Sequence, residues 1–152
     1  MLPEGLTARL ASQLDCLSRF ESAPVDALTA EAVPSKWSAH ENLAHLARYQ
    51  HVFLHERLRR MLSEDQPVFP RYRAENDPEW PNWRSMSPRQ VFDDLRAVRR
   101  KLASTLNDLT DDQLNRTGVH PVLGSMTIPE WLDFFLLHEA HHLYVAVTRI
   151  RS

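Results

Sequence analysis

Apolar residues recur with the period of an α-helix in four stretches of this chain, and prolines cluster between them. The pattern predicts helices over residues 6–20, 38–62, 87–109 and 130–152. The last stretch contains neither glycine nor proline after Pro129. Only three glycines occur in the whole sequence, which also favours helices over tight turns and strands. We therefore predict an all-α protein.

Local signals mark where three of these helices begin. In a capping box, a Ser or Thr side chain accepts a hydrogen bond from the backbone N–H of the residue three positions later. The Glu or Gln side chain at that later position accepts from the backbone N–H of the Ser or Thr. Such pairs are Ser38 with Glu41, Ser87 with Gln90, and Thr127 with Glu130. The second and third predicted helices and the last one should start at these positions.

The segments between the helices differ in character. Residues 66–87 hold several prolines and four large aromatic residues, so we predict a long non-helical crossover that packs on the helices and forms one wall of a pocket, with Trp80 and Trp83 closing over a substrate. Residues 116–126 include Gly118, Pro121 and Gly124 and read as a turn-rich connector. Cys16, beside the first apolar stripe, is expected to be a small buried residue.

The last helix is apolar on nearly all sides. Such a helix is usually central or covered by a partner. Because four helices cannot fully surround one of their own number, this pattern predicts a homodimer.

Composition excludes several classes of protein. The chain has 152 residues and a net charge of −2, which gives no basic surface for nucleic acid. Its single cysteine excludes an internal disulfide and is typical of a reducing cytoplasm. No signal peptide or membrane-spanning stretch is predicted. We expect one cytoplasmic domain over residues 1–152 that binds neither a membrane nor nucleic acid.

The eight histidines of the chain are its candidate functional residues, because neutral imidazole is a common metal ligand. His138 and His142 are four residues apart, so both project from one face of the last helix and can chelate one metal ion. His45 borders the apolar arc of the second helix and is the best third ligand. The pair formed by His51 and His55 is the rival, although neighbouring arginines favour a partly exposed polar margin for it. Core histidines bonded to side chains, without metal, remain the alternative.

The other histidines are expected to serve elsewhere. His40 in the first turn of a helix and His120 in a loop are predicted to lie at the surface, and His141 points away from its neighbours. The run from His138 to His142 matches the His-Glu-x-x-His pattern of zinc proteases, with Glu139 as the general base. The short remainder of the chain disfavours that reading, and Glu139 is then expected either to support a ligand or to face solvent.

Two longer motifs resemble a known family. The first is Trp37-Ser38-x-x-Glu41-x-Leu43-x-His45-Leu46. The second runs from His120-Pro121-x-x-Gly124 through Glu130-Trp131 to His138-x-x-x-His142. Together they resemble the second and last helices of the DinB/YfiT-like metalloenzymes, and the likeness extends over nearly the whole chain.

The resemblance implies a fold and a metal site. The fold would be a four-helix bundle with a variant up-and-down connection. The family's three histidine ligands correspond to His45, His138 and His142. A glutamine that many members carry shortly after the last ligand is replaced here by the stretch Tyr144-Val145-Ala146.

The resemblance implies a metal site more strongly than it implies a particular reaction, because one fold can carry out many reactions. Our first hypothesis is a divalent-metal enzyme, with Zn or Ni as cofactor, that transfers a low-molecular-weight thiol to small electrophilic substrates. The alternatives are a non-catalytic metal-binding or stress-response bundle and a metal-dependent hydrolase. The pattern identifies no catalytic residue beyond the ligands.

Overall fold

The bundle begins with a helical segment that changes geometry part-way along. The computed structural model describes residues 1–151. In it, α1 (Glu4–Ser12) runs through a 3₁₀ turn (Gln13–Cys16) into α2 (Leu17–Glu21). The predicted continuous first helix is therefore interrupted, although its leucines are buried or half-buried as expected. A short helix, α3 (Val25–Thr29), leads to the second long segment.

The second long segment contains a π-helical stretch. It starts with α4 (Ala39–His51), widens into a π-helix (Val52–Leu58) and ends with α5 (Arg59–Ser63). A π-helix turns less per residue than an α-helix, so the side chains beyond it point in different directions from those an unbroken α-helix would give. The sequence pattern did not predict this change.

Short elements connect the second and third long helices. A 3₁₀ turn (Ala74–Asn76) precedes α6 (Trp80–Ser85), which packs against α4. The prediction that residues 66–87 contain no helix was therefore wrong. The segment α6 is too short to show a helical period, and it is held in place through the buried Trp80.

The second half of the chain supplies the remaining two bundle helices. These are α7 (Pro88–Asn107) and, after the four-residue α8 (Asp111–Leu114) and a hairpin, α9 (Ile128–Ile150). All three predicted capping boxes are present, and a fourth joins Thr110 to Gln113. The all-α, four-helix prediction is thus confirmed.

A small antiparallel hairpin replaces the predicted turn-rich connector. Strand β1 (Thr117–His120) pairs with β2 (Gly124–Thr127), and Gly124 adopts a φ of 78° that favours glycine. Trp131 donates its indole N–H to the carbonyl oxygen of Gly118 at 3.1 Å. These strands are too short to show alternation, and their place depends on contacts with distant residues.

The core consists of two apolar clusters separated by a polar layer. Helix α4 packs against both α7 and α9. The polar layer consists of Gln13, Gln50, Arg99 and Glu139. In the sequence, each of these residues has members of one cluster before it and members of the other cluster after it. Arg99 donates to Glu139, to Gln50 at 2.7 Å and to the Leu10 carbonyl at 3.2 Å, so this buried charge is fully paired.

None of the helices in residues 1–151 combines the length and the apolar character needed to cross a membrane.

Candidate metal centre

Three histidines from two packed helices converge on one point. His45 lies on α4, and His138 and His142 lie one turn apart on α9. One ring nitrogen from each lies within 4.8 Å of the others. The Nε2 atoms of His45 and His138 are 3.3 Å apart. His45 is far from the other two histidines in the sequence, and the packing of α4 against α9 brings it next to them.

Aromatic rings surround the three imidazoles. Trp37, which precedes the cap of α4, lies 5.1 Å from His45, and Tyr49 lies 4.6 Å from His138, between ring centroids. The crossover contributes Tyr72, 5.8 Å from His45, and Trp80, 6.3 Å from it and edge-on. The crossover therefore packs beside the imidazoles through Tyr72 and Trp80. Of the two, only Tyr72 lines the adjoining cavity, and neither Trp80 nor Trp83 closes over it as predicted. Trp83 packs against His51 instead, at 5.1 Å.

Burial keeps the three imidazoles neutral. Burial, together with the charges that His142 and His138 would carry, lowers the pKa of His45 to about 2. Burial and the neighbouring His142 and His141 lower the pKa of His138 to about 3. Burial and His141 lower the pKa of His142 to about 4. A neutral imidazole has a lone pair free for a metal ion, so no proton has to leave at neutral pH.

One hydrogen bond fixes which nitrogen of His142 is free. Asn42 donates its amide N–H to the Ser38 carbonyl at 2.9 Å, so its oxygen faces His142 and accepts from Nδ1 at 2.8 Å. The lone pair of His142 is then on Nε2. Asn42 is itself buried, and neither helical period nor motif predicted a role for it. The signal was available, because an asparagine inside the apolar arc, three residues before His45, needs a polar partner.

The other two ligand candidates fit a cation between them. The Nδ1 atoms of His45 and His138 are buried and have no hydrogen-bond partner among residues 1–151, while their Nε2 atoms face each other. Without an ion, the two Nε2 atoms can share one proton in a hydrogen bond. With both protons on Nδ1 instead, two lone pairs converge where a cation would be held. The donor set of three neutral imidazoles therefore fits a divalent metal ion.

The remaining histidines stay outside this cluster. His51 bonds Asp94 at 2.9 Å and stacks on the exposed His55, as expected for a polar margin. His141 is exposed. The surface prediction was wrong for His40 and His120, which are 6% and 8% exposed. His40 lies in the first turn of α4 and His120 at the end of β1, and their burial depends on tertiary contacts that a local pattern does not reveal.

Glu139 faces away from the three histidines. It is 1% exposed, accepts from Arg99, and accepts from Gln13 at 2.9 Å. It therefore neither faces solvent nor contacts the cluster. This geometry removes the protease reading of the His-Glu-x-x-His match, because the carboxylate cannot reach a water beside the histidines.

Cys16, which was expected to be buried, is half-buried near Glu139. Burial raises the pKa of its thiol, and the negative charge of Glu139 raises that pKa further.

A cavity of about 420 Å³ opens beside the centre. His138 lines it together with residues for which the sequence predicted no site role, among them Tyr49, Arg57, Arg71, Tyr72 and His120. They come from α4, the π-helix, the crossover and the hairpin. No periodicity in the sequence links these four elements, so only the tertiary structure could bring them together.

Comparisons with known proteins agree with this picture. A family model described as the DinB superfamily matches residues 11–146. A protein of Oceanobacillus iheyensis, named for a proposed metal-dependent hydrolase activity, is 28% identical over 109 residues, which are 70% of this chain and 61% of that protein. YuaE of Bacillus subtilis, which is uncharacterized, is 33% identical over 58 residues, 38% of this chain and 36% of its own. The chain thus spans less than two thirds of these relatives.

A solved structure shares the fold. YfiT of Bacillus subtilis, described as having an unusual four-helix-bundle topology and a proposed metal-dependent hydrolase activity, superimposes with a TM-score of 0.81. The match covers 97% of this chain and 85% of that one, at 21% sequence identity. At that identity the likeness shows the architecture alone.

Proposed function

The chain belongs to the DinB superfamily, and on that premise we propose that it is a divalent-metal-dependent enzyme acting on small molecules. His45, His138 and His142 would hold the metal. The observation that carries the proposal is the meeting of three neutral imidazoles beside a cavity that one of them lines. A purely structural metal site would have no need of such a cavity.

The residues around the three histidines account for how the ligands are held and oriented. Asn42 orients His142, and the surrounding tryptophan and tyrosine rings hold the other two imidazoles in place. When bound by three histidines, a divalent ion keeps positions open for water or a thiol and lowers the pKa of either. Three imidazoles suit Zn or Ni but do not select sharply among late divalent metals.

Two nucleophiles are compatible with this centre. The names of the Oceanobacillus relative and of YfiT support attack by water, and hence hydrolysis. The cavity supports the thiol, because within residues 1–151 no Asp or Glu lines it to serve as a general base. A thiol, with its lower intrinsic pKa, needs less help to lose its proton than water does. Thiol transfer to a small electrophile therefore remains our first candidate reaction, with hydrolysis the second.

Metal analysis of purified variants tests the ligand set. We expect the wild type and His141→Ala, an exposed change on the same helix, to bind about one zinc ion per chain. We expect His45→Ala and His142→Ala to lose most of it, each having lost one of three ligands. Full occupancy in both ligand variants would contradict the proposed centre.

Activity assays then separate the reactions. The zinc-loaded chain would be given 1-chloro-2,4-dinitrobenzene with glutathione, mycothiol or bacillithiol, and in parallel a panel of small esters and amides without thiol. Thiol-dependent turnover that is lost in His142→Ala supports transfer, and turnover without thiol supports hydrolysis. If zinc binds fully and neither reaction occurs, the non-catalytic metal-binding alternative gains support.

A further inference from the structure

The cavity beside the three histidines carries an unbalanced positive charge. In the part of the chain that the structure describes, its lining includes two arginines, Arg57 and Arg71, and no aspartate or glutamate. Neither arginine forms an ion pair with a carboxylate among residues 1–151, whereas Arg99, which is buried like Arg57, is paired with Glu139. A charge of one sign in a confined space attracts ligands of the other sign.

Arg57 is the unusual member of this pair because it is 4% exposed. Its guanidinium donates to the Tyr49 hydroxyl at 3.1 Å and to the Pro70 carbonyl at 3.2 Å, and it lies 5.1 Å from the Trp131 ring. These contacts use two of its five N–H donors. A buried cation with only neutral partners is costly to maintain, so it calls for an anion that the chain itself does not supply.

The π-helix explains how Arg57 comes to face the cavity. Arg57 is twelve residues after His45, and in an unbroken α-helix these side chains would point about 120° apart. The π-helical stretch from Val52 to Leu58 turns less per residue and rotates Arg57 back towards the face that bears His45 and Tyr49. Such insertions often occur at functional sites, where they re-aim a side chain.

His120 adds a neutral donor to the same cavity. Its Nδ1 accepts the backbone N–H groups of Val122 and Leu123, at 3.1 and 3.0 Å. The proton of the neutral ring is therefore on Nε2, on the opposite side. Burial lowers the pKa of His120, and the charges of Arg57 and Arg71 lower it further, so the ring is neutral and sits in their positive field.

The rest of the lining is apolar or aromatic, including Tyr49, Tyr72, Phe134, Val122 and Leu123. From these contacts we propose that the cavity binds a small organic acid: its carboxylate is held by Arg57, Arg71 and the Nε2–H of His120, and its apolar body lies against the aromatic rings. Building on the proposed function, this assigns the substrate class as carboxylate-bearing, with the reacting group directed towards His138. Arg57 and Arg71 are binding residues that determine specificity.

The test compares a carboxylate with its neutral isostere. Calorimetry on the full chain, zinc-loaded and chelator-treated, would measure binding of 3-phenylpropionate and of 3-phenylpropanamide. We expect the acid to bind at least about tenfold more tightly in both forms, because charged hydrogen bonds are the stronger ones. Arg71→Gln should remove most of that preference, and Arg100→Gln, an exposed change outside the cavity, should leave it intact.

Arg57 is tested with two variants, since its removal also breaks bonds to Tyr49 and Pro70. Arg57→Gln should abolish the preference for the acid, and Arg57→Lys, which keeps the charge, should retain part of it. Circular dichroism identifies any variant that does not fold, and the exposed Arg71→Gln then decides the question.

Four outcomes would overturn the proposal, and the first three concern the binding preference itself. These are equal binding of acid and amide, no binding of either, or a preference for the acid that survives Arg71→Gln. A preference seen only in the zinc-loaded form would also overturn it, because the acid would then be binding the metal. The chelator-treated arm needs no metal, so failure of the proposed metal centre would not hide the result.

Discussion

At the scale of single residues, the properties of the centre depend on where each imidazole carries its proton. His45, His138 and His142 are chemically identical side chains, and their environments distinguish them. Burial keeps all three neutral. The amide oxygen of Asn42 then selects the tautomer of His142, so that Nε2 is the nitrogen with the free lone pair.

Replacing Asn42 should therefore weaken metal binding without removing a ligand. In Asn42→Ala, His142 loses the acceptor that fixes its tautomer and orientation, and we expect zinc affinity to fall about 10- to 100-fold. Competition with a fluorescent chelator would measure it. Asn107→Ala, an exposed change at the end of α7, is the matched control. Unchanged affinity in Asn42→Ala would mean that this hydrogen bond does not orient the ligand.

At the scale of secondary-structure elements, the polar layer specifies how the helices pair. Arg99 of α7, Glu139 of α9 and Gln50 of α4 satisfy one another where the two apolar clusters meet. Sliding α7 past α9 by a turn would leave a buried charge without its partner, and sliding α4 would break the hydrogen bond from Arg99 to Gln50. The layer thereby favours the register that places His45 opposite His138 and His142.

Replacing Glu139 by Gln should lower stability and leave the metal centre intact. Arg99 would remain buried without its counter-charge, which costs about 3 kcal/mol or more in the free energy of unfolding. Urea unfolding would measure the loss, with the exposed Glu75→Gln as control. Zinc content of the folded protein should not change. Unaltered stability with lost turnover would instead revive the role of Glu139 as a general base.

At the scale of the whole molecule, the buried histidines link stability to pH. The three pKa values in the folded chain are about 2, 3 and 4, against about 6.5 for histidine in an unfolded chain. Below pH 6.5 the unfolded state takes up protons that the folded state does not. The stability that neutral burial provides is therefore present above pH 6.5 and is lost as the pH falls.

For the chelator-treated chain we expect the free energy of unfolding to fall between pH 6.5 and 5. Each such histidine contributes at most about 1.4 kcal/mol per pH unit. His40 and His120, whose pKa values burial also lowers, act in the same direction. Comparing His45→Gln with His141→Gln isolates the centre, since only the first should reduce the slope. Equal slopes in both variants would contradict this account.

The homodimer predicted from the last helix stays a prediction. Leu137 and Tyr144 are 58% and 70% exposed, and they are seven residues apart, so they share one face of α9. If this face is the contact between two copies, the wild type should sediment as a dimer and the double variant Leu137→Asp/Tyr144→Asp as a monomer. A wild type that sediments as a monomer at all concentrations would end this prediction.

Local sequence was enough to predict the four long helical segments and to single out the three histidines that the fold brings together. Helical period and capping boxes are interactions between residues three or four positions apart, so the sequence displays them directly. The same is true of the spacing between His138 and His142 on one face of α9. His45 could be chosen over His51 from its place on the apolar arc, and the resemblance to the family pointed to the same residue.

Only the tertiary structure decided what surrounds that centre. The π-helix that turns Arg57, the hairpin that brings in His120 and the crossover that supplies Tyr72 depend on contacts between residues far apart in the chain. The burial of Glu139 against Arg99 likewise depends on how two helices pack. The period of a helix is a local property that sequence reveals, whereas the shape and charge of a cavity arise from several elements meeting.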